Sequence, residues 1–118
     1  MNNTIISEDK IKQTLLNLGL YPHYSGFSYL VYAVDVCCKN ESIRSNPQKQ
    51  VYEAISQKFG IAPDVAIQSV RRAIHAAWEH PNEYQDKLFG YRGKDTVPSA
   101  LEVVTRISDA MLHGGELA

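Results

Sequence analysis

The pattern of apolar and polar positions in residues 51–80 predicts two helices separated by a tight break. Apolar residues recur every four positions in the first half of this stretch, at Val51, Ile55 and Phe59. Gly60 follows, where a left-handed residue commonly ends a helix. Pro63 suits the first turn of the next helix. Two helices joined by a short turn with glycine are typical of a helix-turn-helix, predicted here at about residues 48–80.

The second helix of this pair, predicted over residues 63–80, has an apolar side and a polar side. The apolar side consists of Ala66, Val70, Ala73, Ile74 and Ala77, with Ile67 and Trp78 at its edges. The polar side consists of Gln68, Arg71, Arg72, His75 and Glu79. Glutamine and arginine carry forked hydrogen-bonding groups that match adenine and guanine edges, so this side is predicted to face the DNA major groove. An ordinary solvated face is the alternative, because every amphipathic surface helix has one.

The rest of the chain predicts an all-α fold of about five to six helices. The further helices are predicted from Ser7 or Glu8 to about Leu18, from about Phe27 to Lys39, from Asn82 to Leu88 and from about Ser99 to Leu112. Residues 27–39 are apolar around most of the helix circumference, which predicts a central buried helix. Residues 40–47 are predicted as a polar loop. With no repeat, low-complexity tract or linker, residues 1–118 are predicted to form a single domain.

Composition and charge change this interpretation only slightly. The chain has 118 residues, of which 44% are hydrophobic and 21% charged, and its net charge is −1. Residues 44–80 contain five basic and three acidic side chains, which is a small local basic excess. Any affinity for DNA would therefore depend on few phosphate contacts and is predicted to be moderate.

The sequence contains no residue grouping that indicates an enzyme or a metal site. There is no Ser/His/Asp grouping, glycine-rich phosphate loop or metal-ligand spacing, so no catalytic residue, metal, cofactor or small-molecule ligand is predicted. Cys37 and Cys38 are adjacent and are predicted to be helix residues, at least one of them buried. His23 lies in a turn and is predicted to tie that loop to backbone groups. No stretch is long and apolar enough for a membrane span, and the polar start does not resemble a signal peptide, so a cytoplasmic location is predicted.

Several segments together resemble one family. They are YEAISQKFGI, VRRAIHAAW and FGY, together with LLNLGLYPHYSGFSYLVYAV near the start. From about residue 11 to about residue 112, the chain resembles the C-terminal DNA-binding effector domain of the stage-zero sporulation response regulator. This resemblance implies a helical domain around a helix-turn-helix, double-stranded DNA as the partner, and a role in transcription regulation.

The resemblance also implies base-contacting positions. Ile67 and Gln68 stand where the family has a Glu-Arg pair, Arg71 matches a base-contacting arginine, and Arg72 stands where the family has histidine. With His75 on the same side, these residues are the predicted base contacts. Since Ile67 and Gln68 depart from the family, the predicted target differs from the sporulation regulator's own box.

Phosphate contacts are predicted on both sides of the recognition helix. Arg44, Ser45 and Lys49 lie at the start of the helix-turn-helix, where backbone phosphates are usually contacted. Arg92 and Lys94 lie in a later irregular loop, where contact with phosphate and simple solvation are equally plausible.

In the family, neighbouring copies contact each other on DNA through their C-terminal helices. This implies a homodimer on DNA with a self-association surface at Leu101, Val104, Ile107, Ser108 and Met111. No receiver domain is found in the 118 residues, so occupancy of DNA is predicted to depend on protein concentration or another partner. The alternative function is a protein-interaction module that does not bind DNA and modulates a sporulation regulator or another regulator.

Overall fold

The computed structural model describes residues 8–90 and 96–113, and this part of the chain forms seven helices and no strand. The helices are α1 (Glu8–Asn17), α2 (Ser25–Lys39), α3 (Glu41–Ser45), α4 (Pro47–Phe59), α5 (Pro63–Trp78), α6 (Glu83–Phe89) and α7 (Ala100–Leu112). The predicted all-α class is confirmed. The predicted helix count was too low because residues 41–45, predicted as loop, form the short helix α3.

Helix α2 lies at the centre of the fold, as its apolar circumference predicted. It packs against α1, α4, α5 and α7. Its buried residues are Gly26, Phe27, Leu30, Val31, Ala33, Val34, Val36 and Cys37. A helix with neighbours on every side must be apolar all round, and this explains the pattern in the sequence.

Gly26 allows α2 to approach α5 closely. A Cβ atom built on Gly26 would lie 2.3 Å from the Ser69 carbonyl oxygen and 2.9 Å from the Val70 Cα. No side chain fits at that distance, so glycine is required for this packing. The contact positions the start of α2 directly against the middle of α5.

A buried glutamine joins α1, α5 and α6. Gln85 is only 2% exposed, and its Nε2 donates to the Leu18 carbonyl at 2.9 Å and to the Ala77 carbonyl at 3.1 Å. The Asn82 side chain caps α6 by accepting from the Gln85 backbone N–H at 2.9 Å. The end of α5 is thereby held against α6 and the end of α1.

Helix α7 packs its apolar face against the core. The residues predicted to form a self-association surface are therefore mostly buried in this fold. Val104, Ile107, Ser108 and Met111 are all buried, and only Leu101 is partly exposed. They are buried because α7 packs along α2. In this fold four of the five predicted residues therefore do not lie on the surface. Self-association itself stays a prediction.

The paired cysteines lie at the α2–α7 contact. Both are free thiols in α2, with Cys37 buried and Cys38 partly exposed, which agrees with the prediction of two helix residues of which at least one is buried. The Cys38 Sγ lies 4.0 Å from the Ser108 carbonyl oxygen. Burial, with a smaller contribution from the neighbouring Cys38, raises the pKa of the Cys37 thiol to about 11.

The turn between α1 and α2 holds an aromatic stack. The exposed His23 ring stacks between Tyr21, at 5.7 Å, and Tyr24, at 4.6 Å. In residues 8–90 and 96–113, no helix has the length and apolar character needed to cross a membrane.

Candidate nucleic-acid interface

The turn between α4 and α5 is built by the residues that predicted it. Gly60 ends α4 in the left-handed conformation, with φ 68° and ψ 38°. The backbone N–H groups of Gly60 and Ile61 donate to the Ser56 carbonyl at 2.9 Å and 3.2 Å. The Ser56 hydroxyl donates to the Ile61 carbonyl. Ser56 thus joins the last turn of α4 to the segment leading into α5, a role that its sequence position did not reveal.

Helix α5 begins as its sequence predicted. Pro63 occupies the first turn of α5. The Asp64 carboxylate lies in the same turn, where it interacts favourably with the positive end of the helix dipole. The Ala62 carbonyl accepts from the N–H groups of Val65 and Ala66 at 3.0 Å and 3.1 Å. These two hydrogen bonds form the first turn of α5 immediately after the break at Gly60.

The predicted apolar side of α5 is the side that faces the core. Ala66, Val70, Ala73, Ile74, Ala77 and Trp78 are buried. Trp78 packs edge-on against Phe89 of α6, with the ring centroids 5.3 Å apart. Because small alanines alternate with larger residues, α5 lies close to α2 and α4 and presents its other side outwards.

Four of the five predicted base-contacting residues share that outward side. Gln68, Arg71, Arg72 and His75 are all exposed. The fifth, Ile67, is half-buried at the edge of the face. The structure therefore brings the polar candidates together and sets Ile67 apart from the centre of the exposed surface.

Val65 belongs to this face and was missed in the sequence. Its side chain is 50% exposed, the highest exposure among the large hydrophobic residues of the described chain. It lies three residues before Gln68 and seven before Arg72, which is the spacing of one helix face. The periodicity that places Gln68 on the polar side of α5 also places Val65 there, so the sequence carried a signal for it.

Tyr52 of α4 lies close enough to Arg71 of α5 for the two side chains to interact electrostatically. Burial raises the pKa of the half-buried Tyr52, and the nearby Arg71 guanidinium partly offsets this. The phenol is thus neutral at physiological pH and forms part of the surface next to Arg71. The sequence offered no signal for this pairing because the two residues are on different helices.

The predicted phosphate contacts occupy different environments. Lys49 is exposed in the first turn of α4, which begins at Pro47. Ser45 is also exposed, and its hydroxyl donates to the Ser42 carbonyl at 3.1 Å. Asn46 is the residue before α4, and its side chain makes no capping hydrogen bond.

Arg44 is half-buried and has a structural contact. Its Nη1 donates to the Cys37 carbonyl at 2.8 Å and to the Cys38 carbonyl at 3.4 Å, near the end of α2. This contact uses part of its hydrogen-bonding capacity. The two remaining candidates, Arg92 and Lys94, lie outside the described residues.

A groove lies beside the helix-turn-helix, between α1, α2 and the end of α4. It encloses about 490 Å³. Its lining is Glu8, Lys12, Leu16, Pro22, Phe27, Ser28, Val31, Tyr32, Lys58 and Phe59. Leu16 and Phe59 are exposed at 41% and 37%.

The described residues hold no cluster of three or more His, Cys, Asp or Glu side chains that could bind a metal ion. The arrangement at α4 and α5 instead presents amide and guanidinium groups on a rigidly backed helix. Such groups bind by hydrogen bonding and charge.

Comparison with known families identifies the domain. The family model described as "Sporulation initiation factor Spo0A C terminal" matches residues 11–111 of the 118. The match covers the central helix α2, the helix-turn-helix and nearly all of α7. The chain therefore belongs to the Spo0A C-terminal family, a family of DNA-binding domains of sporulation regulators.

Proposed function

We propose that this protein is a sequence-specific DNA-binding transcription regulator that places α5 in the major groove. The observation that supports this most directly is the exposed face of α5, where Gln68, Arg71 and Arg72 are grouped on a helix whose opposite side is buried. The helix backbone that carries these side chains is already ordered, so the conformational entropy lost on binding is mainly that of the side chains themselves.

Each polar residue of this face has a defined chemical role in the proposal. The Gln68 amide pairs with an adenine edge, and the Arg71 guanidinium pairs with the two acceptors of guanine. Arg72 and His75 lie further along the helix and contact bases or the adjoining backbone. Lys49 and Ser45, ahead of the recognition helix, contact phosphate and fix the register.

The proposed target differs from the sporulation regulator's box. Gln68 favours adenine, and the half-buried Ile67 has no group that accepts a hydrogen bond from cytosine. Strong binding of the unmodified box would contradict this part of the proposal.

Selection from a random duplex library tests the proposed function. The protein is incubated with the library at moderate salt, and the bound DNA is recovered and sequenced over several rounds. A short enriched motif is expected. A folded protein that enriches no motif would contradict sequence-specific binding.

A second candidate function is a protein-interaction module, and the groove beside the helix-turn-helix favours it. Its floor is apolar, and its rim carries Lys12 and Lys58 against the single carboxylate of Glu8. An amphipathic helix with an acidic edge complements this surface. Binding of such a helix, weakened by Phe59→Ala and unaffected by Arg71→Ala, would support this candidate.

A further inference from the structure

The outward face of α5 contains one large apolar side chain among polar neighbours. Val65 is 50% exposed, whereas Asp64, Gln68 and Arg72 near it are polar and also exposed. A half-exposed valine in the first turn of a helix contributes little to the core. Its two methyl groups are therefore available for contact with a ligand.

The position of Val65 on the face matters more than its exposure alone. At 100° per residue, Val65, Gln68, Arg72 and His75 fall within about 80° of one another, so they form one ridge along the helix. Val65 is the first residue of that ridge. In helix-turn-helix proteins the N-terminal residues of the recognition helix contact base edges, so this end enters the groove most deeply.

We propose that Val65 is a specificity-determining residue that contacts the 5-methyl group of a thymine in the major groove; this inference rests on the proposed DNA-binding function. The thymine methyl is the only apolar group that unmodified base pairs present in the major groove. An apolar side chain at the tip of the reading ridge matches it, while the same side chain would leave the donors and acceptors of other bases without partners.

This assignment moves the apolar base contact from Ile67 to Val65. Ile67 lies about 160° around the helix from Val65 and is half-buried. It lies at the boundary between the reading ridge and the core. The ridge thus presents, in order along α5, the methyl groups of Val65 for thymine, the amide of Gln68 for adenine and the guanidinium of Arg72.

The experiment replaces thymine with deoxyuridine, which differs only by the missing methyl group. Each thymine of the motif selected from the random library is replaced in turn, and the affinity of the full chain is measured for each duplex. For the unmodified protein, we expect affinity to fall about fourfold at one thymine, which is the value of one buried methyl-sized group. The other thymines should tolerate the change.

Val65→Ala completes a double-mutant cycle. It should lower affinity for the thymine duplex by a similar factor and remove the difference between thymine and deoxyuridine at that one position. Val65→Thr, which keeps one of the two methyls, should retain part of the difference. Ile67→Ala is the matched control and should leave the deoxyuridine effect unchanged. Because Val65 is half-exposed, its variants should have the melting temperature of the parent protein.

The outcomes separate this inference from the proposed function. A motif in which every thymine tolerates deoxyuridine, or in which the methyl effect persists in Val65→Ala, overturns the role of Val65 and leaves DNA binding standing. Failure to select any motif overturns both.

Discussion

At the residue scale, α5 is held in place by a few polar atoms buried between helices. Gln85 bridges the carbonyls of Leu18 and Ala77, and Ser56 bridges the α4–α5 turn. A buried carbonyl that loses its donor keeps its desolvation penalty without compensation. The orientation of the reading face therefore depends on residues that never touch DNA.

Gln85→Met keeps the shape of the side chain and removes both donated hydrogen bonds. We expect unfolding free energy to fall by about 1–3 kcal/mol, because the buried Leu18 carbonyl loses its donor, whereas the Ala77 carbonyl still accepts from the His80 backbone N–H at 3.2 Å. Urea denaturation followed by circular dichroism measures this. Gln57→Met, on the exposed side of α4, is the control and should change stability by less than about 0.5 kcal/mol. Equal effects of the two changes would contradict the bridging role.

Arg71→Ala tests base reading directly. Loss of a bidentate contact with guanine should weaken specific binding by about 1–3 kcal/mol and relax the preference at one base position. Fluorescence anisotropy with the selected duplex and its single-base variants measures both effects. Arg106→Ala removes the same charge from α7 and should leave the base preference intact. An Arg71 variant with unchanged affinity would remove this residue from the proposed interface.

The Cys37 thiol is expected to resist labelling in the folded protein. Its pKa of about 11, raised by burial, keeps it protonated at pH 8, and the thiolate is the reactive form. A thiol-reactive chromophore should modify Cys37 only after unfolding, and the Cys38→Ala variant should show this without interference. As pH rises from 9 towards 11, the folded state loses stability, because the unfolded thiol releases its proton first. Rapid labelling of the native Cys38→Ala variant at pH 8 would contradict the prediction.

At the element scale, the contact between α2 and α5 sets the position of the recognition helix. The two helices approach closely because Gly26 has no side chain facing the Ser69 carbonyl. Gly60 ends α4 just before α5 begins, in the left-handed conformation with φ 68°. One glycine serves packing and the other serves backbone conformation, so their substitutions have different consequences.

Gly26→Ala should push α2 away from α5. A Cβ atom 2.3 Å from a backbone oxygen cannot be accommodated without a backbone shift, which typically costs about 1–3 kcal/mol. Thermal unfolding should show a lower midpoint, and affinity for the selected motif should fall because α5 is displaced. Ser28→Ala, on the exposed side of α2, is the control for the new alanine. An unchanged melting temperature for Gly26→Ala would contradict the close approach.

At the scale of the whole molecule, net charge and its distribution limit how DNA is bound. The chain carries a net charge of −1, with its basic excess confined to residues 44–80. Such a molecule attracts DNA weakly at long range, and its affinity must come from a small number of local contacts.

The dependence of DNA affinity on salt concentration should reflect the small number of phosphate contacts. With the five basic residues in residues 44–80 and the two further candidates Arg92 and Lys94, the slope of log affinity against log salt should be no steeper than about −6.3 per bound copy. Lys49→Ala should reduce the slope by about 0.9 and weaken all sequences alike. Lys39, which pairs with Asp35 at 3.2 Å on α2, provides the control substitution Lys39→Ala. A slope that is unchanged in Lys49→Ala would exclude Lys49 from the phosphate contacts.

The amino-acid sequence by itself determined the helical class, the turn at Gly60 and the two sides of α5. These features are local: periodicity, capping and the left-handed preference of glycine act within a few residues, and each leaves a readable pattern. The core residues of α2 and α5 followed from the same periodicity. The family resemblance rested on these elements too, and it extended them to nearly the whole chain.

Only the tertiary structure decided which faces remain exposed once the helices pack. The apolar side of α7 could equally have formed a dimer surface, and it is buried because α2 lies against it. Val65 could have been a core residue, and it is exposed because none of the seven described helices covers the first turn of α5 on that side. Gln85 and the Gly26 contact join residues distant in sequence. Burial depends on what packs nearby, and a single helix's pattern does not contain that information.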